Sequence, residues 1–229
     1  MCSQFEIKIP IKQLMDTTQL LFEEYSDNLT WDTHVYPFSL APVIAHKPIN
    51  YLEVMKYSLT PSWSKVAKPK FATYNARLDR PNKTGNQLEL IYNMPTWRTP
   101  FRSQHCIVPI TSFFESCREG IHAGNIVKFS KDNSILLTAG VWDMWVDTIT
   151  GEAIHSFAII TDDPCDFIKE VGHDRQPVFL NLENAKIWLD NSFTSVDTAY
   201  NFLKHSQQQI DYTVENVRQL KGFEHDLFS

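Results

Sequence analysis

The sequence predicts an α+β fold: a single domain over residues 1–229 in which a twisted, mostly antiparallel β-sheet or barrel carries peripheral helices. Three observations point there. β-branched and aromatic runs fill the middle of the chain, each bounded by Gly, Asp, Asn or Lys. Segments of helical period lie to either side of them. Finally, 229 residues that are 43% hydrophobic, with no repeat, low-complexity tract or Gly/Ser-rich linker, are enough for one sizeable core.

Taken in order, residues 11–27 carry Ile11, Leu14, Met15, Leu21, Phe22 and Tyr25 at near-helical spacing and predict one amphipathic helix. A region punctuated by Pro37, Pro42 and Pro48 follows, and its runs PVIAH and YLEVMKYSL suit extended segments. HCIVPITSFFES, NIVKFS, SILLTAGVWDMWV and AIHSFAIIT predict strands. DPCDFIKEVG, with Asp and Pro at its start and Gly172 at its end, predicts a short capped helix. LENAKIWLDNS and SVDTAYNFLKHS predict two more helices, and IDYTVENVRQL a last strand.

Composition narrows the functional classes. Glu6, Lys8 and Lys12 interrupt any signal-peptide pattern, and no stretch approaches the roughly 18 to 20 apolar residues of a membrane span, so a soluble cytoplasmic protein is expected, nucleoid-associated if bacterial. Four cysteines (Cys2, Cys106, Cys117, Cys165) suit a reducing compartment. His105, Cys106, Cys117 and His122 lack metal-ligand spacing, so neither a metal nor another cofactor is expected. With seven glycines and no GxGxxG or P-loop pattern, a nucleotide-phosphate cradle has no support, and no G-x-S-x-G or H-E-x-x-H occurs. The net charge is −6, yet Lys56 to Arg102 holds nine basic residues and two acidic ones. That tract is either a positive face for a phosphate backbone or a set of solvated loops, and charge alone leaves both open.

One residue offers unusual chemistry. Cys2 follows the initiator methionine and is small enough for aminopeptidase removal of Met1. An N-terminal cysteine carries an amine of pKa roughly 7.7 to 8 beside a thiol of about 8.5. With an aldehyde the amine forms a Schiff base, and the thiol then closes a durable five-membered thiazolidine. The ordinary alternative is a chain end without a role.

Read together, MCSQF, TYNARLDRP, VPITSFFES, TAGVWDMW and GHDRQPVFL occur in an order that resembles the SRAP family, named for SOS response-associated peptidase. VYPFSLAP, MKYSLTPSW and YTVENV add further similarity, so the resemblance spans nearly the whole chain. Members of that family sense abasic sites in single-stranded DNA and crosslink to them through the N-terminal cysteine. The resemblance implies that Cys2 is the nucleophile and that Asn75 holds the N-terminal residue. Glu115 would move protons beside the sugar C1′, and His173 would assist ring opening to the aldehyde. Arg77 would bind a phosphate beside the lesion. Trp63, Lys65, Arg98 and Arg175 complete the expected DNA surface, with Trp63 and Trp97 flanking the basic tract as stacking candidates and Trp97 and Trp142 favoured for the core. Taken singly, Asn75 and Arg77 also read as turn or surface residues, Glu115 as an exposed strand position and His173 as a helix C-terminal partner.

Departures from the family pattern are Ser3, Gln4, Ser112, Ser116 and Gln176, where relatives carry Gly, Arg, Gly, Trp and Met. Losing the cation at position 4 should remove about one phosphate contact. The expected partner is therefore single-stranded DNA containing abasic sites, met by a monomer with no membrane role. Two alternatives remain at this stage: a thiol-dependent peptidase with Cys2 as nucleophile and His173 as base, acting on itself, and a diverged non-enzymatic single-strand-binding module.

Overall fold

The computed structural model describes residues 3–27, 29–46, 48–82, 84–132 and 134–220. The N-terminal third contains β1 (Gln4–Glu6), α1 (Ile11–Thr18), β2 (Glu24–Tyr25), β3 (His34–Val35), β4 (Leu40–His46) and β5 (Asn50–Tyr57). The middle contains β6 (Asn75–Arg77), β7 (Asp79–Pro81), β8 (Leu88–Leu90), α2 (Arg98–Ser103), β9 (His105–Ile110), β10 (Ser112–Cys117), β11 (Asn125–Ser130), β12 (Leu136–Val146) and β13 (Ala153–Asp162). Then come α3 (Asp166–Val171), β14 (Gln176–Pro177), β15 (Phe179–Leu180), α4 (Leu182–Asp190), α5 (Val196–His205) and β16 (Thr213–Gln219).

The strands build two layers. β13, β12, β9, β4 and β5 pair antiparallel in that order, and a parallel pairing of β13 with β5 (Ser156 with Lys56, Phe157 with Tyr57) closes them into a five-stranded barrel. Closure leaves no free edge on those five strands. Beside the barrel lies an antiparallel sheet in the order β16-β11-β10-β1-β3. The largely apolar character of SILLTAGVWDMWV follows from this architecture, because β12 is buried over its first eight residues.

One core cluster includes Phe5, Tyr57, Phe113, Phe129, Phe157 and Phe179, with Phe113 stacked on Phe129 at 4.9 Å. A second cluster gathers Ile44, Ile107, Val141, Ile160 and Phe101 with Trp188 of α4. Each fully buried large side chain contributes about 1.5–3 kcal/mol by leaving water. Gly140 of β12 is needed for this closeness. A Cβ there would lie 2.8 Å from Cys106 Sγ and 2.9 Å from the Ala158 carbonyl oxygen.

Three departures from expectation bear on how the chain is routed. The first helix spans Ile11–Thr18 rather than 11–27. Thr18 Oγ1 donates back to the Leu14 carbonyl at 2.8 Å, a tight 3-10 turn over Gln19–Leu21 buries Leu21, and β2 then pairs in parallel with β5. HCIVPITSFFES is two strands rather than one. The chain turns at Thr111, whose Oγ1 and N–H both donate to the Glu6 carbonyl, so β9 joins the barrel and β10 the second sheet. Third, the α2 helix at Arg98–Ser103 sits where no helix was expected. β11, β12, β16 and the three later helices fall within the segments expected, β4, β5 and β13 extend slightly beyond theirs, and the short strands β1, β3, β6, β7, β8, β14 and β15 lie where no strand was expected. Among the described residues no helix is long and apolar enough to cross a membrane.

Candidate functional site

Glu115 and His173 form the centre of the site. On β10, Phe113, Glu115 and Cys117 share the buried face, and Glu115 is 2% exposed. His173 is placed by a helix stop. Gly172 adopts the left-handed conformation (φ 112°) at the end of α3, its N–H donates to Ile168 and Lys169, and the His173 N–H donates to Ile168 at 3.1 Å. The expected capping glycine is therefore what delivers the histidine.

His173 Nε2 and Glu115 Oε2 are 3.1 Å apart, and both groups are almost wholly shielded from solvent. A hydrogen bond at that distance needs one proton between them, so the pair can hold a proton and release it without exposing either group. On the other side of the ring, Nδ1 lies 2.9 Å from the Arg175 carbonyl and 3.2 Å from the Arg175 N–H. An Nδ1–H would donate to the carbonyl, whereas a bare Nδ1 would accept from the amide. The backbone can thus serve either tautomer while the ring stays in place.

Ser116, Arg118, Asp163, Lys169, His173 and Asp174 line a cleft of about 770 Å3, which reaches the histidine of this pair. β1 runs antiparallel to β10 with Gln4 opposite Phe114, so the N-terminal end of β1 lies one position from the register of Glu115. Cys2 itself lies outside the described residues.

Asn75 and Arg77 alternate with the buried Ala76 on β6, which pairs in parallel with β13 (Asn75 with Ile159, Arg77 with Thr161). Both polar atoms of the Asn75 amide are buried with no hydrogen-bond partner among the described residues. Left unmet, each costs about 1–3 kcal/mol, so this amide is poised for a further group. The Arg77 guanidinium pairs with Asp163 at 3.6 Å. Thr161 links the two halves, since β14 pairs with it through Pro177 while Arg77 pairs with it from β6.

Other expected positions divide by exposure. Trp63 is 56% exposed and stacks on Phe71, itself half exposed, at 6.5 Å. Its loop is fixed by Trp145 Nε1 donating to the Ser64 carbonyl and by Asp143 accepting from the Ser62 N–H. Lys65 and Arg98 are exposed, and Lys68 lies 4.3 Å over the Phe38 ring. Trp97 and Trp142 are buried, as the sequence suggested. Arg175 corrects the expected DNA surface. It is 2% exposed, and its Nη2 donates to the carbonyl and hydroxyl of Thr161 at 2.8 and 2.7 Å, so its charge braces β13 beneath the site instead of facing solvent.

Two arrangements had no signal in sequence spacing. Glu6, 4% exposed, is held by Lys8 at 2.6 Å, by Lys128 at 3.0 Å and by Ser112 at 3.0 Å. Ser112, one of the departures from the family pattern, is thus committed to anchoring β1. Lys204 lies between Asp162 at 2.6 Å and Asp79 at 2.9 Å, and these two carboxylates come within 4.8 Å of Asp163.

A barrel closed by one parallel pair, backed by an antiparallel sheet and carrying a buried Glu–His pair whose histidine lines a cleft, defines the class. Its fold is similar to crystal structures of proteins from Bacteroides thetaiotaomicron (TM-score 0.72, 23% identity, 95% of this chain and 92% of that one) and Bordetella bronchiseptica (TM-score 0.70, 19% identity, 95% and 100%). Residues 1–220 match the family described as SOS response associated peptidase (SRAP), and the chain belongs to it. Among curated relatives, "Abasic site processing protein YoaM" of Bacillus subtilis is 32% identical over 149 residues, 65% of this chain and 60% of YoaM. "Abasic site processing protein YoqW" of the same species is 30% identical over 156 residues, 68% of this chain and 64% of YoqW. "Abasic site processing protein HMCES" of Mus musculus is 27% identical over 164 residues, 59% of this chain and 44% of HMCES. The matched region thus spans less than two thirds of each of these relatives.

Proposed function

We propose that this protein captures abasic sites in single-stranded DNA by forming a thiazolidine through Cys2, shielding the lesion from strand cleavage. The observation that carries the reading is the buried Glu115–His173 pair at 3.1 Å, with Glu115 next along β10 to Phe114, the residue that pairs with Gln4 at the N-terminal end of β1. The relatives' description as abasic site processing proteins supports the choice of substrate.

In this reading Met1 is removed and the Cys2 amine adds to the C1′ aldehyde of the ring-opened sugar. The His173–Glu115 pair supplies the proton that lets the carbinolamine oxygen leave as water. The Cys2 thiol then adds to the iminium carbon, its sulfur–carbon bond replacing the carbon–nitrogen π bond, and the thiol proton returns to solvent or to the pair. Aldehyde and aminothiol become thiazolidine and one water. Asn75 contributes its unpaired amide to hold the N-terminal residue, and Arg77 binds a phosphate beside the lesion. Trp63 and Phe71, with Lys65 and Arg98, offer a stacking and phosphate-binding surface to the flanking strand, and the protein acts as a monomer.

Incubating the mature protein with a single-stranded oligonucleotide that carries one abasic site should give an adduct that survives a denaturing gel. Cys2→Ala should abolish it, and equal crosslinking by that variant would rule the mechanism out. Intact mass separates this reading from self-processing: methionine loss that stops in Glu115→Gln or His173→Ala would mark a peptidase step.

A further inference from the structure

The carboxylates around Arg77 bear on how firmly intact DNA is held. Asp79, Asp162 and Asp163 converge within 4.8 Å of one another. Lys204 ion-pairs with the first two, at 2.9 and 2.6 Å, and they gain hydrogen bonds from Tyr200 and Gln207. Asp163 is left outside that network. Its ion pair among the described residues is with Arg77, at 3.6 Å, and its side chain is 66% exposed against 36% for Arg77. Repulsion from the two neighbouring carboxylates favours Asp163 lying toward the guanidinium, and the strand register fixes the arrangement. Arg77 sits opposite Thr161 on β13, and Asp163 follows two residues later.

From this geometry we infer that Asp163 is a built-in competitor for the anion seat of Arg77, a specificity residue that weakens the hold on phosphate until other contacts displace it. The inference deepens the proposed function and rests on its assignment of Arg77 as a phosphate contact. An exposed carboxylate–guanidinium pair is worth only a few tenths to about 1 kcal/mol. A phosphate offering two oxygens to the guanidinium fork displaces it readily, but the exchange subtracts that amount from the affinity. Nonspecific binding, which depends on such contacts, is lowered. Intact strands then leave quickly, while a lesion is retained by the covalent bond.

A charge-matched cycle tests this with the full chain and a short intact single-stranded oligodeoxythymidine, binding being followed by fluorescence anisotropy at low salt. Asp163→Asn should tighten binding by roughly two- to five-fold. In an Arg77→Ala background that gain should disappear. Glu119→Gln removes the same charge from the same cleft without touching Arg77 and should give the smaller gain. Circular dichroism confirms that each variant is folded. Equal gains from Asp163→Asn and Glu119→Gln, or a gain that persists without Arg77, would overturn the inference and leave Arg77 as a phosphate contact. If Arg77→Ala binds as tightly as the unaltered protein, both the inference and the assignment of Arg77 fail.

Discussion

At the scale of single residues, the role proposed for the Glu115–His173 pair is to pass a proton between two groups almost wholly shielded from solvent. Replacing Glu115 by Gln keeps the shape and removes the ability to cycle that proton. The adduct-forming rate should fall by about 10²- to 10⁴-fold while the melting temperature stays close to that of the unaltered protein. A timed denaturing gel beside a thermal melt checks both, and an undiminished rate would remove Glu115 from the chemistry. Glu115, His173 and Asn75 stood out as candidates in the sequence because each belongs to a run that resembles the family's, and the structure brings the first two together. Arg175 was misread: it follows His173 by two positions, and only the structure shows it turned inward onto Thr161. Asp163 was missed for the opposite reason. Its partner Arg77 lies 86 positions earlier on a strand whose parallel pairing no local pattern announces.

Between residue and molecule, the elements deliver these groups through tight local stops. Gly172 combines a left-handed backbone with a contact no other residue tolerates, since a Cβ on it would lie 1.6 Å from the Glu119 carbonyl oxygen. Gly172→Ala should therefore cost about 3 kcal/mol or more, from backbone strain plus overpacking, and should move His173 away from Glu115. Urea unfolding reads the first effect and the adduct rate the second; an unchanged unfolding midpoint would contradict the packing described. The stop itself was readable from DPCDFIKEVG. By contrast, the early end of α1 was hidden because Leu21, Phe22 and Tyr25 keep a helical rhythm while serving a 3-10 turn and β2. HCIVPITSFFES read as one strand because apolar content does not reveal that Thr111 hands the chain from barrel to sheet.

For the molecule as a whole, three buried groups act together when the solution is acidified. Burial raises the Glu6 carboxyl, but hydrogen bonds from Lys8, Lys128 and Ser112 outweigh it and leave the group below its usual 4.5. Burial likewise raises Asp79, and Lys204 and Tyr200 bring it below its usual 3.8. His105, stacked on Trp188 at 3.5 Å, is pushed by burial from 6.5 down to about 4, against the pull of the Phe101 and Trp188 carbonyls. Between those two values the unfolded chain holds a proton on His105 that the folded chain does not. Stability therefore falls as pH drops through that window, by about 3 kcal/mol at most. The two carboxylates contribute stability above their unfolded values and lose it as pH falls through the lowered ones. Unfolding free energy should thus decline steadily from pH 7 to 4 and more steeply below, and a flat profile between pH 6.5 and 4.5 would contradict the state assigned to His105.

The antiparallel pairing of β1 with β10 also sets an order of events during synthesis. Gln4 bonds opposite Phe114, so the first strand leaves the ribosome some 110 residues before its partner exists. At about 5–20 residues per second this gives roughly 5–20 s in which the N-terminal strand has no neighbour to cover it. Enzymes that trim or modify a nascent chain have their best access to the residues ahead of Gln4 in that interval. Once β10 emerges, β1 becomes one strand of a five-stranded sheet. Slowing translation ahead of β10 would lengthen the interval, so the chemistry done on the chain ahead of Gln4 is decided before the strand that carries Glu115 exists.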